Sequence, residues 1–288
     1  MTQGVRTVAL IGPGRAGTTI ALGLLEQGWS VVAVAGRAPD ATSTSTAAAV
    51  LASRPALVSE AARGASVVII ATPDRAIEQA AIAAEPAIEP GALVFHLAGS
   101  RGVDVFDALL ARRTGVRVGA LHPLQTFPST TVGLERLQGA WAAVAGDREV
   151  TEIAALLGLR TFEVAESNRV GYHTAAVVAS NHLVALLGQV ERLAARAGVP
   201  FEAFAPLVLG SVQNAFAIGP AKALTGPVQR GDLSTVEAQL RELDPAERDA
   251  YRALAREAAR LTGQRDTGLD RLLDDLKSTG GPSLGESP

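Results

Sequence analysis

Short apolar runs alternate with helix-patterned stretches through the first 165 residues of the chain. Eight runs predict strands: Thr7–Ile11, Ser30–Ala35, Ala56–Val58, Val67–Ala71, Leu93–Leu97, Arg117–Leu121, Ala140–Ala145 and Arg160–Val164. A run that is apolar throughout is typical of a strand buried on both faces of a parallel sheet. Helical patterns between the runs favour βαβ units. The first half is therefore predicted to be a doubly wound parallel sheet of the α/β class.

After about residue 167 only helical spacing remains. The predicted helical stretches are Val170–Arg196, Phe201–Ile218 and Ser234–Gly263. Without a β-like run, this half is predicted to be an all-helical second domain. The Gly/Ser/Pro-rich end is typical of a disordered tail. The predicted organisation is a sheet domain over 1–166, a helical domain over 167–277 and a tail over 278–288.

A glycine-rich loop joins the first strand to the first helix. Its residues are Gly12, Pro13, Gly14, Arg15, Ala16 and Gly17, in the pattern GxGxxG. In a dinucleotide site the first glycine allows a tight turn, the second lets the backbone approach a pyrophosphate, and the third lets the helix pack on the sheet. Amide groups at the helix N-terminus then bind the phosphates. Between a strand and a helix, the motif predicts a Rossmann dinucleotide-binding domain.

The residues after the second and fourth strands bear on the identity of the cofactor. NAD enzymes usually place an acid after the second strand, but Gly36 and Arg37 stand here. A guanidinium suits the 2′-phosphate of NADP by its charge and its forked donors, so we expect NADP, with NAD less favoured. Thr72 and Pro73 are expected beside the ribose–nicotinamide half. An ordinary surface role for Arg37 and a helix-start turn at Thr72 remain open.

Two histidines follow neighbouring strands of the predicted sheet. His96 ends the fifth strand and His122 follows the sixth. The carboxyl ends of parallel strands share one edge, where ligands bind in doubly wound folds. The two residues are therefore candidates for polarising a carbonyl group or for fixing the loops around the nicotinamide. Ser100 and Gln125 could bind substrate or satisfy loop backbone.

The long helix of the second half carries polar residues within an apolar pattern. His173 and Ser180 share a face of a straight helix, and Asn181 lies next to that face. Such residues need partners when buried. We expect His173 and Asn181 to contact the substrate, with a buried polar network as the alternative.

A loop rich in glycine and proline interrupts the helices further along. Arg230, in TGPVQRGD, could bind a substrate carboxylate with both arms of its guanidinium, and Lys222 could donate a proton. The alternative is a structural pair of Arg230 with Asp232, the latter or Ser234 capping the next helix.

Composition excludes several classes of function. Of 288 residues, 48% are hydrophobic, the formal net charge is −3, and cysteine is absent. Without a basic surplus, nucleic acid is not an expected partner. Without cysteine, disulfides and thiolate sites are excluded, and the four histidines show no zinc-like spacing, so no metal is expected. The N-terminus is not typical of a signal peptide, and the apolar run from Ala175 to Leu187 is too short and polar to span a bilayer. A cytoplasmic protein is expected.

Six motifs, taken in order, resemble a known family. They are IGPGRAG, ATPD, HLAGS, HPLQTF, YHTAAVVASN and LTGPVQRGD. The chain resembles, over about residues 5–275, Rossmann-like proteins with a C-terminal helical domain of unknown function, many of which carry the label NADP oxidoreductase. It is more distantly similar to pyrroline-5-carboxylate reductase, prephenate dehydrogenase and ketopantoate reductase. The lysine that ketopantoate reductases carry on the first long helix is missing, since this helix offers His173, Val177 and Asn181.

The expected function is NADPH-dependent reduction of a small carbonyl or imine compound, with a 2-keto acid such as ketopantoate as the leading candidate. In this hypothesis Arg230 binds a carboxylate, Asn181 the carbonyl oxygen, and His173 or Lys222 supplies the proton. The resemblance also implies a homodimer formed through the helical domain. The alternatives are a non-catalytic NADP-binding or interaction protein, and an NAD-dependent dehydrogenase that works in the oxidative direction.

Overall fold

An eight-stranded sheet organises the first half of the protein. The computed structural model describes residues 6–263 and 267–275. The strands are β1 Thr7–Ile11, β2 Ser30–Ala35, β3 Arg54–Ala56, β4 Val67–Ile70, β5 Leu93–His96, β6 Arg117–Pro123, β7 Trp141–Gly146 and β8 Arg160–Glu163. Their order is β3-β2-β1-β4-β5-β6-β7-β8, and neighbours from β3 to β6 are parallel. The order reverses between β1 and β4, where doubly wound folds bind ligands.

Short helices connect these strands and flank the sheet. They are α1 Arg15–Glu26, α2 Thr42–Val50, α3 Val58–Ala61, α4 Ile77–Ala84, α5 Asp107–Arg112, α6 Thr130–Glu135 and α7 Arg148–Leu156. Both faces of the sheet are covered, since Leu10 and Ile69 belong to one buried cluster and Ile11 and Ile70 to another. Burial on both faces explains why the strand sequences are apolar throughout. The predicted α/β class with a doubly wound sheet is confirmed.

The last two strands depart from the all-parallel prediction. β7 runs antiparallel to β6, and β8 runs parallel to β7. The cause is the connection after β6: the amide of Leu124 already donates to the carbonyl of Trp141, 2.7 Å away. β7 therefore starts beside the end of β6. For β7 to run parallel to β6, the chain would first have to cross back to the end of the sheet where β6 begins.

Two elements begin earlier than predicted, whereas the other strands begin within one residue of their predicted starts. The third strand covers Arg54–Ala56, two residues earlier than predicted, because Val58 already begins α3. The sequence pattern predicts a helix over Thr46–Ala52, whereas α2 begins at Thr42. Both differences lie where alanine, serine and threonine dominate, and the contrast between apolar and polar positions is weak there.

After β8, the secondary-structure elements of the described residues are all helices, as expected. The helices are α8 Arg169–Val177, α9 Leu183–Arg196, α10 Ala205–Ile218, α11 Pro220–Ala223, α12 Pro227–Arg230, α13 Leu233–Glu242, α14 Pro245–Leu261 and α15 Thr267–Asp275. By its contacts the chain divides into two compact units, at Leu183–Val184. The predicted domain boundary at 166/167 stays a prediction, and the predicted tail 278–288 lies outside the described residues.

One π-helical turn, Val178–His182, joins α8 to α9 without a break. The Ser180 hydroxyl donates to the carbonyl of Ala176, 2.8 Å away, so this polar residue is accommodated inside the helix. By length and composition alone, the helical segments Glu166–Arg196 and Phe201–Ile218 could cross a membrane, and neither apolar window is buried. Ser180, Asn181 and His182 therefore make the apolar run more polar but do not interrupt the helix.

The second unit has a small core and an uncovered helix. Val236 and Leu240 of α13 pack with Ala255 and Ala259 of α14 and with residues of α15. In contrast, none of the described residues of α10 is buried. Its Phe216 is 89% exposed. An exposed apolar helix face of this kind is typical of an interaction surface.

Candidate functional site

The glycine loop after β1 has the close approaches that a dinucleotide site requires. Gly12 has a φ of +94°, and a side chain there would meet the Ala71 carbonyl carbon at 2.6 Å. A side chain at Gly17 would meet the Ala71 Cβ, also at 2.6 Å. Gly14, in contrast, faces open space. Gly12 and Gly17 thus serve the turn and the helix packing, and Gly14 leaves room for a ligand.

This loop borders a pocket of about 530 Å³. The lining residues are Gly14, Arg15, Ala16, Gly17, Ala71, Thr126, Phe127 and Pro128. Thr72 follows the lining residue Ala71, and its Oγ1 is buried and has no hydrogen-bond partner among the described residues. Backbone amides at the start of α1, open space at Gly14 and an unsatisfied hydroxyl fit the diphosphate and ribose of a dinucleotide.

The end of β2 lies beside the same loop. A side chain at Gly36 would meet the Thr44 Oγ1 at 2.2 Å and the Pro13 Cγ at 3.1 Å, so only glycine fits there. Arg37 follows and is exposed. Arg15 instead donates to the carbonyl of Pro128 across 3.2 Å. Arg37 is therefore an exposed cation close to the loop, as a contact to a 2′-phosphate would need.

His96 is fully buried at the carboxyl end of β5. Its Nε2 lies 2.9 Å from the Gly102 carbonyl oxygen, and its Nδ1 accepts a hydrogen bond from the Ala98 amide at 3.1 Å. Burial lowers the pKa of His96, so the ring is neutral and its Nε2–H donates to Gly102. Both nitrogens are engaged with backbone. Of the two roles expected for His96, this geometry permits the fixing of the loop 97–102.

His122 and Tyr172 form a close pair at the end of β6. The His122 Nδ1 and the Tyr172 hydroxyl are 2.7 Å apart, with the donor set by the tautomer of the ring. The His173 ring lies 5.7 Å from the His122 ring, centroid to centroid. Burial, followed by the neighbouring His173, lowers the pKa of His122 to about 4. Burial raises the pKa of Tyr172 to about 12, so at neutral pH the imidazole is uncharged and the phenol keeps its proton.

Gly99 makes this grouping possible. A side chain there would meet the His173 Cδ2 at 2.7 Å and the His122 Cε1 at 2.8 Å. The loop after β5 therefore contacts both rings directly. The nearby Ser100 hydroxyl donates to the Asp74 carboxylate, which follows β4.

These side chains open onto a second pocket, of about 660 Å³, within the first unit. Its polar lining residues are His122, Gln125, Thr126, Tyr172, His173, Ser180 and Asn181. The π-helical turn supplies Ser180 and Asn181, and such turns are frequent at functional sites. The Ser180 hydroxyl is 2.8 Å from the Asn181 Oδ1. The structure thus brings together His122, His173 and Asn181.

The two remaining candidates belong to the second unit. Lys222 lies on α11 and Arg230 on α12, and both are exposed. Asp232 caps α13, accepting from the Thr235 amide at 3.1 Å and from two hydroxyl groups. Hydrogen bonds from Thr235 and Ser234 lower the pKa of Asp232. The capping alternative for Asp232 is confirmed, and the roles of Lys222 and Arg230 stay predictions.

Two residues of this site escaped the sequence analysis. The sequence pattern predicts no role for Tyr172 or for Arg169. Arg169, Tyr172 and His173 stand at i, i+3 and i+4, which puts them on one face of a helix. That spacing of three polar residues was the available signal.

Two family models match the chain, and the second match begins within the sheet, at β7. Residues 1–123 match the model of a Rossmann-like domain, and residues 142–258 match a domain of unknown function, DUF2520. No curated protein matches the chain.

Several solved structures share the fold. The crystal structure of the "putative NADP oxidoreductase BF3122" of Bacteroides fragilis has a TM-score of 0.78 at 24% identity, covering 89% of this chain and 98% of that one. A Plasmodium falciparum pyrroline carboxylate reductase with NADP bound gives 0.56 at 12% identity, covering 98% and 100%. A variant imine reductase from Myxococcus stipitatus, in complex with NAD+, gives 0.59 at 15%, covering 93% and 99%. At these identities the likeness shows the fold alone.

Proposed function

Because the chain pairs a Rossmann-like domain with a DUF2520 domain, we propose that it is an NADPH-dependent oxidoreductase that reduces a small carbonyl or imine compound. The leading substrate class is a 2-keto acid, with ketopantoate as the first candidate. The fold neighbours named as reductases support an oxidoreductase in general terms. The substrate class rests on the chemistry of the pocket beside His122.

In this proposal the glycine loop holds the cofactor. Amides at the start of α1 bind the diphosphate next to Gly14, and the Thr72 hydroxyl gains a partner in the ribose. Arg37 pairs with the 2′-phosphate, which gives the preference for NADPH. When bound, the nicotinamide ring supplies the hydride that the carbonyl carbon receives.

The protein's own contribution is a proton and a fixed substrate orientation. Tyr172 is protonated at neutral pH and gives its proton to the carbonyl oxygen, or to the nitrogen of an imine, as the carbon is reduced. The phenolate so formed regains a proton from the His122 Nδ1 across the 2.7 Å contact, while the Nε2 of the same ring takes up a proton from water, so that the imidazole stays neutral. Asn181 donates its amide to the same oxygen, and His173 shields the pair from water. Tyr172 thus takes the role that the sequence assigned to His173 or Lys222.

The single observation that carries the proposal is the Tyr172–His122 contact, at the carboxyl edge of the sheet that also holds the glycine loop. A buried neutral imidazole bonded to a phenol is typical of proton transfer. A merely structural pair would not need to face a pocket.

We also propose that the protein works as a cytoplasmic homodimer, without a membrane or nucleic acid as a partner. The uncovered apolar residues of α10 support this, since a second copy could bury them. α9 is tied to α14, where Arg192 bonds the Glu247 carboxylate at 2.5 Å, and such a polar attachment is unsuited to hydrocarbon.

Cofactor binding is the first test. Titration of the protein with NADPH and with NADH, followed by nicotinamide fluorescence, is expected to give at least ~10-fold tighter binding of NADPH, about 1.4 kcal/mol. Arg37→Ala removes the pairing with the 2′-phosphate and should abolish the preference. The matched control is Arg63→Ala, an exposed arginine in the turn before β4, at the amino edge of the sheet. Binding of neither nucleotide contradicts the proposal.

Turnover is the second test. NADPH oxidation is measured with a panel of 2-keto acids and cyclic imines, ketopantoate first. Tyr172→Phe removes the proton donor and should lower kcat at least ~100-fold, with KM changed less than ~3-fold. Tyr251→Phe is the control, because Tyr251, the other tyrosine of the chain, donates to Gln239 in the second unit. Tight NADPH binding without turnover of any panel member would favour the non-catalytic alternative.

A further inference from the structure

Arg169, at the start of α8, is a buried cation whose donors are largely unused. Its side chain is 1% exposed, and its Nε, Nη1 and Nη2 have no hydrogen-bond partner among the described residues. The Glu166 carboxylate lies 3.2 Å from the Nε, and Glu166 itself is 52% exposed. The outer fork of the guanidinium is therefore left without an acceptor.

Such an arrangement is costly for a protein that has no use for it. A buried charge is stabilised only when paired and hydrogen-bonded, and a guanidinium presents five donors. The two free arms form a planar fork that matches the two oxygens of a carboxylate. A ligand carboxylate would satisfy both arms at once.

Arg169 lies on the same helix face as the proposed proton donor. Tyr172 and His173 follow it by three and four residues, so all three side chains point to one side of α8. The positive charge of Arg169 also acts on its surroundings: after burial, it contributes to the lowered pKa values of His96 and His122, and it partly offsets the raised pKa of Tyr172. The guanidinium is thus an electrostatic neighbour of the pair that faces the pocket.

We propose that Arg169 binds the carboxylate of the substrate and so makes the site selective for 2-keto acids over neutral carbonyl compounds. The inference rests on the proposed function and deepens it. Arg169 replaces Arg230 in this role, since Arg230 is exposed and already solvated on α12. A carboxylate on the Arg169 fork would bring the adjacent carbonyl group to the side of α8 that also carries Tyr172.

Glu166 tunes this anion site. Its carboxylate occupies the space where a side chain at Gly102 would lie, since a Cβ there would meet the Glu166 Oε2 at 1.5 Å. Gly102 therefore lets Glu166 reach the Nε and hold the guanidinium in place. Its negative charge also weakens the attraction of the fork for a second anion. Removal of that charge should strengthen substrate binding.

Binding of two isosteric probes, pyruvate and pyruvamide, tests the inference without turnover. Calorimetric titrations use the whole protein with saturating NADP+. We expect the wild type to bind pyruvate at least ~10-fold more tightly than the neutral pyruvamide, a ratio worth about 1.4 kcal/mol. Arg169→Met keeps an unbranched apolar stem but removes the charge, and it should bring the ratio to about one while leaving the affinity for pyruvamide within ~2-fold.

A second variant keeps the test valid if Arg169→Met does not fold. Glu166→Gln should bind pyruvate at least ~3-fold more tightly than the wild type, with pyruvamide unchanged. Arg63→Met controls for the loss of a surface arginine and should keep the wild-type ratio. Retention of the pyruvate preference in Arg169→Met, its loss in Arg230→Met instead, or an unchanged pyruvate affinity in Glu166→Gln would each overturn the proposal.

The result also separates this inference from the proposed function. NADP+ binding with no preference between the probes in the wild type rejects the carboxylate site and leaves the reductase proposal intact. Failure to bind NADP+ or NADPH at all rejects the reductase proposal itself. Binding of NADP+ but of neither probe also rejects the carboxylate site, because a preformed fork should take the smallest 2-keto acid.

Discussion

Apolar side chains are buried in the sheet of the first unit but exposed on helix α10 of the second. Phe95, in the centre of β5, is 0% exposed, with helices over both faces of its sheet. Phe216, near the end of α10, is 89% exposed. The sequences around the two residues are similarly apolar. Hydrophobicity predicts that a surface will be covered, but not whether its own chain covers it.

That difference separates two kinds of stability. In the sheet, burial is completed within the chain, so its contribution is independent of protein concentration. On α10, in our proposal, the apolar side chains become buried only when a second copy binds. Their contribution to stability therefore depends on protein concentration.

The largest expected effect is a core truncation. Phe95→Ala should lower the free energy of unfolding by about 3–5 kcal/mol, because it removes a fully buried ring and leaves a cavity. Urea denaturation at two protein concentrations 100-fold apart measures it, and the loss should be the same at both.

The matched substitution on the uncovered helix is Phe216→Ala. The substitution should lower the free energy of unfolding only at the higher protein concentration, where dimers form, because the ring is 89% exposed in the single chain. An equal loss at both concentrations would break the comparison and mean that α10 is buried intramolecularly.

The second prediction concerns self-association. Leu207, 67% exposed on α10, lies on the surface that we propose a second copy covers. Leu207→Glu should raise the dimer dissociation constant at least ~10-fold, about 1.4 kcal/mol, because the carboxylate must be desolvated. Sedimentation equilibrium measures this. The control is Leu57→Glu, at an isolated position that is 52% exposed before α3. If both variants match the wild type, or if the wild type is monomeric at all concentrations, α10 is not a dimer surface.

The third prediction is a difference in pH dependence. His122 titrates near 4 in the folded protein but near the ordinary value of ~6.5 when unfolded, so the unfolded state binds more protons between these values. Stability of the first unit should therefore fall as the pH decreases from ~6.5 to ~4, and His96 contributes in the same direction.

The second unit should respond later. No histidine follows residue 182, and the lowered pKa values of Asp232 and Glu247 stabilise the folded state above their ordinary range, so that stability is lost only as the pH falls below ~4. Tryptophan fluorescence isolates the first unit, because Trp29 and Trp141 are the two tryptophans of the chain. His122→Gln should reduce the fluorescence-detected slope by up to about one proton. An unchanged slope would show that His122 is not the group responsible.

Much of the first unit was predictable because its signals are local. The strand Thr7–Ile11, the positive φ of Gly12 and the open space at Gly14 follow from a sequence pattern that each residue satisfies on its own. The orientation of β7 was not predictable, because it depends on where the chain leaves the edge of the sheet.

The site itself was predictable only in part. His122, His173 and Asn181 were expected near the substrate, and the structure does bring them to one pocket. The Tyr172–His122 contact joins residues 50 positions apart, and it depends on how α8 packs beside β6. A pattern along one chain reports a helix face, but not the side chain across from it.

The edges of the sheet limit how this protein can assemble. β3 has only three residues, and one of them is Pro55, which cannot donate a hydrogen bond to an added strand. β8, at the other edge, begins at Arg160 and ends at Glu163, two charged and exposed side chains. Both edges are thereby poor templates for strand addition, the route by which open sheets extend into filaments or aggregates. Open-ended association by strand addition is therefore disfavoured. Association through helix surfaces would instead give an oligomer with a fixed number of subunits.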